Sequence, residues 1–216
     1  MKISAVIFDL DGTLVDSEVA WGKAFVHVLE KLGVKVENSH PQTTGISIKP
    51  NWHELIEKYN IKTDFTIDEL ETFTLKEVEN HVADIHLMDG ALEFIGDLKD
   101  SGYLIGLATS TNWTIVDKVF DKLNLHGIFD SVTTGEEVDN PKPFPDIYLV
   151  AAEKLGVDPG DCLVIEDSAP GVTAAVEANM KVIAVSDTDD EKGELESANL
   201  ILENFSKITP KVIDAI

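Results

Sequence analysis

The stretch Ile3-Ser4-Ala5-Val6-Ile7-Phe8-Asp9-Leu10-Asp11-Gly12-Thr13-Leu14 decides the fold of this chain. Its apolar run, Ala5 to Phe8, has no polar face, which is typical of a central strand in a parallel sheet. Asp9 and Asp11 are two positions apart, so an extended backbone directs both carboxylates to the same side. Gly12 then permits a sharp turn and the close approach of a ligand to the backbone. Open α/β sheets bind ligands at the carboxyl ends of their strands, so this stretch predicts a site with paired carboxylates whose repulsion a cation or a proton relieves.

The composition is that of a folded globular protein. The chain has 216 residues, of which 44% are hydrophobic, and this is enough for one domain or one domain with an insertion. The longest apolar runs have the length of strands, far below the about 20 residues of a membrane helix, so we expect no association with a membrane. Asp9 and Asp11 interrupt the apolar start, so no signal peptide is expected. A single cysteine, Cys162, precludes an internal disulfide, and we expect a cytoplasmic protein.

The chain is strongly acidic, with a formal net charge of -23. Binding of nucleic acid through a basic surface is therefore not expected, because phosphate contacts need Lys and Arg. An anionic substrate would be repelled at long range and must be captured by local positive charge. A divalent metal, a lysine and the amino terminus of a helix are the sources that the sequence offers.

After residue 86 the chain alternates between helix and strand patterns. Strands are expected at 103–108, 131–134, 162–165 and 182–185. Helices are expected at 89–98, from near Asn112 to Leu123, at 146–155 and after Asp167. Such alternation predicts a parallel sheet with right-handed crossovers. The fold class is therefore α/β, with a doubly wound, Rossmann-like core.

Residues 16–86 have a different pattern, with helices and no convincing strand. One helix is expected from Asp16 or Ser17 to Leu32, a second from Asn51, and a third after the capping box formed by Thr66 and Glu69. We therefore predict a core of residues 1–15 and 87–216, interrupted by an all-helical insertion of residues 16–86. The crossings near 14–17 and 84–90 are expected to act as hinges, and the insertion is a candidate lid.

Four of the predicted strand ends and loops carry polar residues: Asp9 and Asp11, Thr109 and Ser110, Lys142, and Glu166 and Asp167. Each has an ordinary structural interpretation when taken alone. Asp9 and Asp11 suit an Asx-type turn, Thr109 suits a helix cap, and Lys142 suits a solvated surface. The acids at 166–167 suit the start of a helix, where its dipole favours them. Their order along a doubly wound sheet, however, gathers all of them at one edge.

This order resembles the four motifs of the haloacid dehalogenase superfamily, and the resemblance covers nearly the whole chain. It rests on Asp-Leu-Asp-Gly-Thr at 9–13, a Thr after a buried strand, Lys-Pro-Phe-Pro-Asp at 142–146 and Ile-Glu-Asp-Ser at 165–168. The resemblance implies that Asp9 is the nucleophile and Asp11 the general acid and base. It also implies that Thr109 binds the transferring phosphoryl group and that Lys142 neutralises charge. The insertion looks like the small helical cap of that superfamily, and we call residues 16–86 the cap.

The resemblance also implies a metal ion and contacts to phosphate. Carboxylates of Asp9, Glu166 and Asp167, with the backbone carbonyl of Asp11, would provide oxygen ligands suited to Mg²⁺. Phosphate binding is assigned to Gly12, to the Ser110 backbone N–H and to Asn112, near which a helix is expected to begin.

Within the superfamily the chain looks closest to the beta-phosphoglucomutase-like branch, but it lacks two features of the mutases. Trp21 of Asp16-Ser17-Glu18-Val19-Ala20-Trp21 stands where the mutases carry a His, and we interpret it as a packing residue. After Gly45-Ile46-Ser47, Ile48 stands where the mutases carry an Arg, with Lys49 next to it. A mutase must hold a second phosphate, a task that a bidentate arginine suits. We therefore expect a phosphatase, with a phosphohexomutase as the alternative.

Two further alternatives come from related chemistry. A dehalogenase fits the Asp11 and Thr13 pattern less well, and a phospho-accepting signalling module would be shorter and lack the insertion. The expected partner is a small phosphorylated molecule, with a hexose, pentose or polyol favoured and phosphoglycolate left open, and the expected state is a monomer. Candidates to face the substrate are Trp21, Phe25, Ser47, Ile48, Lys49, Asn51, Trp52 and Asn112.

Overall fold

Six parallel strands form the central sheet of the computed structural model, which describes residues 2–186, 193–213 and 215–216. The strands are β1 (Ala5–Phe8), β4 (Leu104–Thr109), β5 (Ser131–Thr134), β6 (Cys162–Glu166), β7 (Lys181–Val185) and β8 (Leu200–Leu202), with β2 and β3 forming a separate pair described below. Their order across the sheet is β5-β4-β1-β6-β7-β8. The parallel α/β sheet predicted from the sequence is confirmed, while β8 was not predicted.

The chain reverses its direction of winding at β1. Phe8 of β1 pairs with Leu107 of β4 on one side and with Ile165 of β6 on the other. A ligand of a doubly wound sheet binds outside the carboxyl ends of the strands at such a switch point. Asp9, the residue after β1, therefore lies between the ends of β4 and β6.

Alternate residues of β1 enter two different hydrophobic layers. Val6 and Phe8 pack in a cluster with α4 (Ala91–Asp100) and α5 (Trp113–Leu123). Ala5 and Ile7 pack in a second cluster with α6 (Asp146–Leu155) and α7 (Ala169–Glu177). Both faces of the sheet are thus covered by helices, which explains why β1 has no polar position. The last helix is α8 (Pro210–Ile213). In the described part of the chain, no helix is both long and apolar enough to cross a membrane.

Three helices, α1 (Glu18–Lys31), α2 (Ile48–Lys58) and α3 (Ile67–His81), pack around an apolar cluster of their own. Phe25 and Trp52 meet in that cluster, with ring centroids 5.6 Å apart. The capping box of Thr66 and Glu69 at the start of α3 is present. The start expected for α2 was wrong, because the helix begins three residues earlier, at Ile48. Pro50 is tolerated there because it lies in the first turn, where the backbone N–H has no partner within the helix.

The expectation of no strand between residues 16 and 86 was also wrong. A short antiparallel pair joins β2 (Val15–Asp16) to β3 (His86–Leu87), with Val15 opposite Leu87. Strands of two residues give no periodic signal in a sequence. The pair ties together the two chain segments that lead into and out of the cap.

Candidate active site

A buried lysine holds the first carboxylate of the site. Asp9 follows β1 and is 4% exposed, and its backbone N–H donates to the carbonyl oxygen of Ile165 at 3.0 Å. Lys142 donates from Nζ to Asp9 Oδ1 and to Glu166 Oε1, at 2.6 Å in each case. The other oxygen of Asp9, Oδ2, accepts no hydrogen bond from a described residue and lies beside a cavity that Asp9 lines. Asp9, Lys142 and Glu166 were predicted to lie on separate elements, and the structure brings them into direct contact.

Lys142 hydrogen-bonds to both Asp9 and Glu166, but the pKa values of these two carboxylates shift in opposite directions. Burial raises the pKa of Asp9 to about 7, against the attraction of Lys142 and with the repulsion of Glu166. Burial also acts to raise the pKa of Glu166, but the charge of Lys142 and further hydrogen bonds lower it below its usual range. Burial acts to lower the pKa of Lys142, and the charges of Asp9 and Glu166 reverse this, so its pKa lies well above the usual value. Lys142 is therefore a fixed positive charge.

Glu166 is held by five hydrogen bonds from described residues. Its Oε1 accepts from Lys142 and from the hydroxyl of Tyr148, at 2.9 Å. Its Oε2 accepts from the backbone N–H groups of Asp167 and Ser168, both at 2.8 Å, and from Ser168 Oγ at 3.0 Å. A carboxylate offers about four lone-pair positions, so a metal ion at Glu166 would have to displace one of these donors. Sequence reasoning missed Tyr148, a buried residue of α6 whose only signal is its place on the apolar face of that helix.

The third acid, Asp167, lies against the turn after β1. Thr13 Oγ1 donates to Asp167 Oδ1 at 2.8 Å. Gly12 has φ +83°, and a Cβ atom there would come within 2.1 Å of Asp167 Oδ2. Only glycine allows this approach. Burial, followed by the charges of Glu166 and Asp9, raises the pKa of Asp167 well above its usual range.

Asp9, Glu166 and Asp167 form a group that fits a divalent cation. One oxygen of each lies within 4.8 Å of the others. Lys142 is the one cation that hydrogen-bonds to this group among the described residues, so the group carries an excess of negative charge when ionised. Hard oxygen donors of this kind suit Mg²⁺.

The second carboxylate of the opening motif, Asp11, accepts from four side chains of the described part of the chain. Ser17 Oγ and Trp21 Nε1 donate to its Oδ1, at 2.6 and 2.8 Å. Thr111 Oγ1 donates to its Oδ2 at 2.6 Å, and Thr109 Oγ1 lies 3.4 Å from the same oxygen. The interpretation of Trp21 as a packing residue was incomplete, because its indole N–H binds a carboxylate of the site. Ser17 and Thr111 were also missed, since their polar side chains have no spacing that marks them.

A loop of the cap, residues 42–47, covers the cavity above these acids. Ser110 Oγ donates to the carbonyl oxygen of Gly45 at 3.3 Å. A Cβ atom on Gly45 would come within 2.2 Å of Ser168 Oγ, so the loop touches the core on both sides of the site. The described residues that line the cavity are Asp9, Asp11, Gly12, Ser17, Glu18, Trp21, Phe25, Gln42, Thr43, Thr44, Gly45, Ile46, Ser47, Ile48, Asn51, Thr109, Ser110, Thr111, Asp167, Ser168, Ala169, Glu194 and Leu195.

Three residues expected to face the substrate do not line this cavity. Asn112 caps α5, where its side-chain oxygen accepts from the backbone N–H of Ile115. Lys49 forms ion pairs with Asp68 and Glu71, at 2.7 and 3.4 Å. Trp52 is buried inside the cap and donates from Nε1 to Thr74 Oγ1. The other five candidates do line it.

Comparisons with known proteins show the family of this chain. The sequence model of the haloacid dehalogenase-like hydrolases matches residues 6–185. Hexitol phosphatase B of Escherichia coli (strain K12) is 30% identical over 97% of this chain and 96% of its own length. The phosphorylated carbohydrates phosphatase of Thermotoga maritima is 34% identical, over 93% and 94%.

Among solved structures, beta-phosphoglucomutase from Clostridium difficile superposes with a TM-score of 0.88 at 25% identity, over 99% of this chain and 96% of that one. The fold, the match over most of the chain and the phosphatase relatives show that this chain belongs to the haloacid dehalogenase-like hydrolases, in the beta-phosphoglucomutase-like group, and is a phosphoric monoester hydrolase.

Proposed function

We propose that this protein is a Mg²⁺-dependent phosphatase that hydrolyses a small sugar or polyol phosphate through an aspartyl-phosphate intermediate at Asp9. The observation that carries the proposal is the contrast between the two ends of the cavity. At the core end, Asp9 stands beside the buried cation Lys142, and its Oδ2 accepts no hydrogen bond from a described residue. At the cap end, the described lining residues include no Lys, Arg or His.

Asp9 is the nucleophile in this scheme. Lys142 fixes its Oδ1, which leaves Oδ2 to attack phosphorus. The new bond from Oδ2 to phosphorus forms as the bond from phosphorus to the leaving oxygen breaks. Thr109, at the end of the neighbouring strand β4, would donate to the phosphoryl oxygens from its hydroxyl group, and Ser110 would donate from its backbone N–H. Such donors stabilise charge that develops during the transfer.

Asp11 is the general acid and base. It gives a proton to the departing oxygen in the first step and removes a proton from water in the second. The water oxygen then bonds to phosphorus, the bond from phosphorus to Asp9 breaks, and inorganic phosphate is released. The different surroundings of the two aspartates suit this division, because Asp9 is paired with an ammonium group and Asp11 with neutral donors.

The residues that would hold Mg²⁺ are Asp9, Asp167 and the backbone carbonyl of Asp11, with Glu166 as a further candidate. The fit rests on the donor chemistry described above, in which three acids lie together and Lys142 hydrogen-bonds to two of them. When bound, the ion offsets negative charge on the phosphoryl group and on the nucleophile. Glu166 also supports the site through its own hydrogen bonds, since it accepts from Lys142 and from the backbone N–H of Asp167.

The cap wall favours an uncharged leaving group. Its polar members are neutral amides and hydroxyls such as Gln42, Thr43 and Asn51, and its charged member is the acid Glu18. The Oε1 atom of Gln42 is buried and has no hydrogen-bond partner among the described residues. A buried acceptor of this kind is satisfied by a substrate hydroxyl group. The hexitol and carbohydrate phosphatases among the relatives support a polyhydroxylated leaving group.

A phosphohexomutase is the second candidate, favoured by the likeness to the beta-phosphoglucomutase structure. A mutase must bind the second phosphate of a bisphosphate in its cap. Lys49, the cation nearest in sequence to the position of the mutase arginine, is paired with Asp68 and Glu71 instead. The absence of a cation from the described cap wall favours the phosphatase.

Phosphorus NMR distinguishes the candidates. The purified protein is incubated with Mg²⁺ and sorbitol 6-phosphate, glucose 6-phosphate, or beta-glucose 1-phosphate containing a trace of glucose 1,6-bisphosphate. We expect inorganic phosphate to accumulate, and we expect EDTA and Asp9→Asn each to abolish the reaction. Conversion of glucose 1-phosphate to glucose 6-phosphate without free phosphate would establish the mutase. Full activity of Asp9→Asn would refute the assigned nucleophile, and a stable phosphoprotein with little turnover would indicate a signalling module.

A further inference from the structure

The indole of Trp21 makes a direct hydrogen bond to Asp11. Trp21 lies in α1, the first helix of the cap, and its Nε1 is 2.8 Å from Asp11 Oδ1. We propose that Trp21 is a positioning residue for the acid-base step, which fixes the rotation of the Asp11 carboxyl group so that Oδ2 faces the phosphoryl group. This inference rests on the proposed function, since it concerns the assigned acid and base.

The chemistry of the donors distinguishes the two oxygens of Asp11. An indole N–H can only donate, so Oδ1 remains a hydrogen-bond acceptor beside Trp21. The partners of Oδ2 are the hydroxyl groups of Thr111 and Thr109. A hydroxyl group can turn and accept, so it tolerates a proton on Oδ2. The oxygen that exchanges the proton is therefore Oδ2.

The position of Oδ2 agrees with this role. Thr109 is the last residue of β4, which pairs with β1, and its hydroxyl lies 3.4 Å from Oδ2. The phosphoryl group is expected at that end of the strand, next to Asp9. An oxygen directed to Thr109 is thus directed to the reacting atoms, while Oδ1 is directed to the cap.

The packing of Trp21 makes it a suitable support. Its ring lies against Phe25, with centroids 6.5 Å apart, and packs against both the core cluster and the cap cluster. Ser17, at the start of the same helix, donates to the same oxygen at 2.6 Å. A carboxyl group without the indole N–H keeps one donor on Oδ1 and gains freedom to rotate. Small misplacements of a catalytic group cost up to about 100-fold in rate.

The test uses Trp21→Phe, which removes the N–H and retains an aromatic ring. Trp52→Phe is the matched control, because Trp52 also donates a buried indole hydrogen bond within the cap, at 2.9 Å to Thr74, without contacting Asp11. The values of kcat/KM are compared for two substrates. Sorbitol 6-phosphate has an alkoxide leaving group that needs a proton, and p-nitrophenyl phosphate has a phenolate leaving group that departs without one.

We expect Trp21→Phe to lower kcat/KM about 10- to 100-fold for sorbitol 6-phosphate and less than about threefold for p-nitrophenyl phosphate. Trp52→Phe is expected to affect the two substrates equally. An equal loss on both substrates with Trp21→Phe, or no loss, would overturn the inference. If instead neither substrate is hydrolysed by the wild type, or Asp9→Asn is active, the proposed function fails rather than the role of Trp21.

A second measurement does not depend on activity or on the folding of Trp21→Phe. The indole N–H signals of the protein are recorded by ¹⁵N NMR in the wild type and in Asp11→Asn. The signal of Trp21 is expected to shift and that of Trp52 to stay in place. Unchanged signals of both residues would overturn the contact on which the inference depends.

Discussion

Gly171 of α7 packs directly against Glu166, the carboxylate that accepts a hydrogen bond from Lys142. It lies in the first turns of α7, and a Cβ atom there would come within 1.6 Å of Glu166 Oε1. Ordinary van der Waals contact requires at least 3.4 Å. Gly171→Ala must therefore displace the carboxyl group of Glu166, which is fully buried.

The size of the effect follows from the bonds that Glu166 makes. Its contacts to Lys142 and to the backbone N–H of Ser168 are 2.6 and 2.8 Å long, and neither survives a displacement of that size. Breaking a buried ion pair costs about 3–5 kcal/mol. Alanine returns about 1 kcal/mol through its helix propensity. The net loss in the free energy of unfolding is about 2–4 kcal/mol, which lowers the Tm by about 5–15 °C.

The control is Gly96→Ala, in the middle of the exposed face of α4. A Cβ atom at Gly96 meets nothing within 4 Å, so this variant gains only helix propensity and is expected to be more stable by about 0.5–1 kcal/mol. Thermal melts of both variants and kcat/KM for sorbitol 6-phosphate are the assays. We expect Gly171→Ala to lose activity as well, because Lys142 loses one of its two anchors. A Gly171→Ala protein as stable and as active as Gly96→Ala would refute the reasoning.

Three further outcomes follow from the site. The pKa of Asp9 is raised to about 7 and that of Asp167 is raised as well, so Mg²⁺ must displace protons from these acids at low pH. Calorimetry is therefore expected to show weaker Mg²⁺ binding at pH 5.5 than at pH 8, and equal affinities would contradict this. Gly45→Ala places a Cβ atom against Ser168 at a backbone φ of +79°, so the cap loop cannot pack against the core as it does in the wild type. The KM is expected to rise at least tenfold with little change in Tm. An unchanged KM would show that this contact of the loop does not affect substrate binding. Lys49→Ala removes exposed ion pairs worth about 0–1 kcal/mol and is expected to leave kcat/KM within about threefold of the wild type, while a large loss would place Lys49 at the substrate.

The parts of this protein that the sequence predicts are those with a local or a periodic signal. The unbroken apolar run of β1 marks a strand covered on both faces, and the structure confirms it. The acids after β1 and β6 meet because topology brings the ends of adjacent parallel strands to one edge. The capping box of Thr66 and Glu69 depends on a spacing of three and needs no tertiary contact.

The parts that the sequence does not predict depend on contacts between distant positions. Thr111 reaches Asp11 across 100 positions, and Tyr148 reaches Glu166 from the buried face of a helix. Trp21 has the spacing of a core residue on α1, and this spacing does not reveal which way its one polar atom points. The pair β2 and β3 is too short for a periodic signal, so hydrogen bonding alone defines it.

The distribution of charge limits the phosphates that this site is expected to accept. The chain carries a net charge of -23. In addition to the acids of the site, two glutamates line the described cavity, Glu18 of the cap and Glu194 of the core. A substrate with a second anionic group would place that group against these acids, with the buried ammonium group of Lys142 already committed to Asp9 and Glu166. Like charges a few ångströms apart in a partly desolvated site repel by several kcal/mol. A neutral polyol meets no such repulsion, and its hydroxyl groups can donate to Gln42 Oε1, which has no partner among the described residues. We therefore expect hexitol phosphates to be preferred over phosphoglycolate by at least tenfold in kcat/KM.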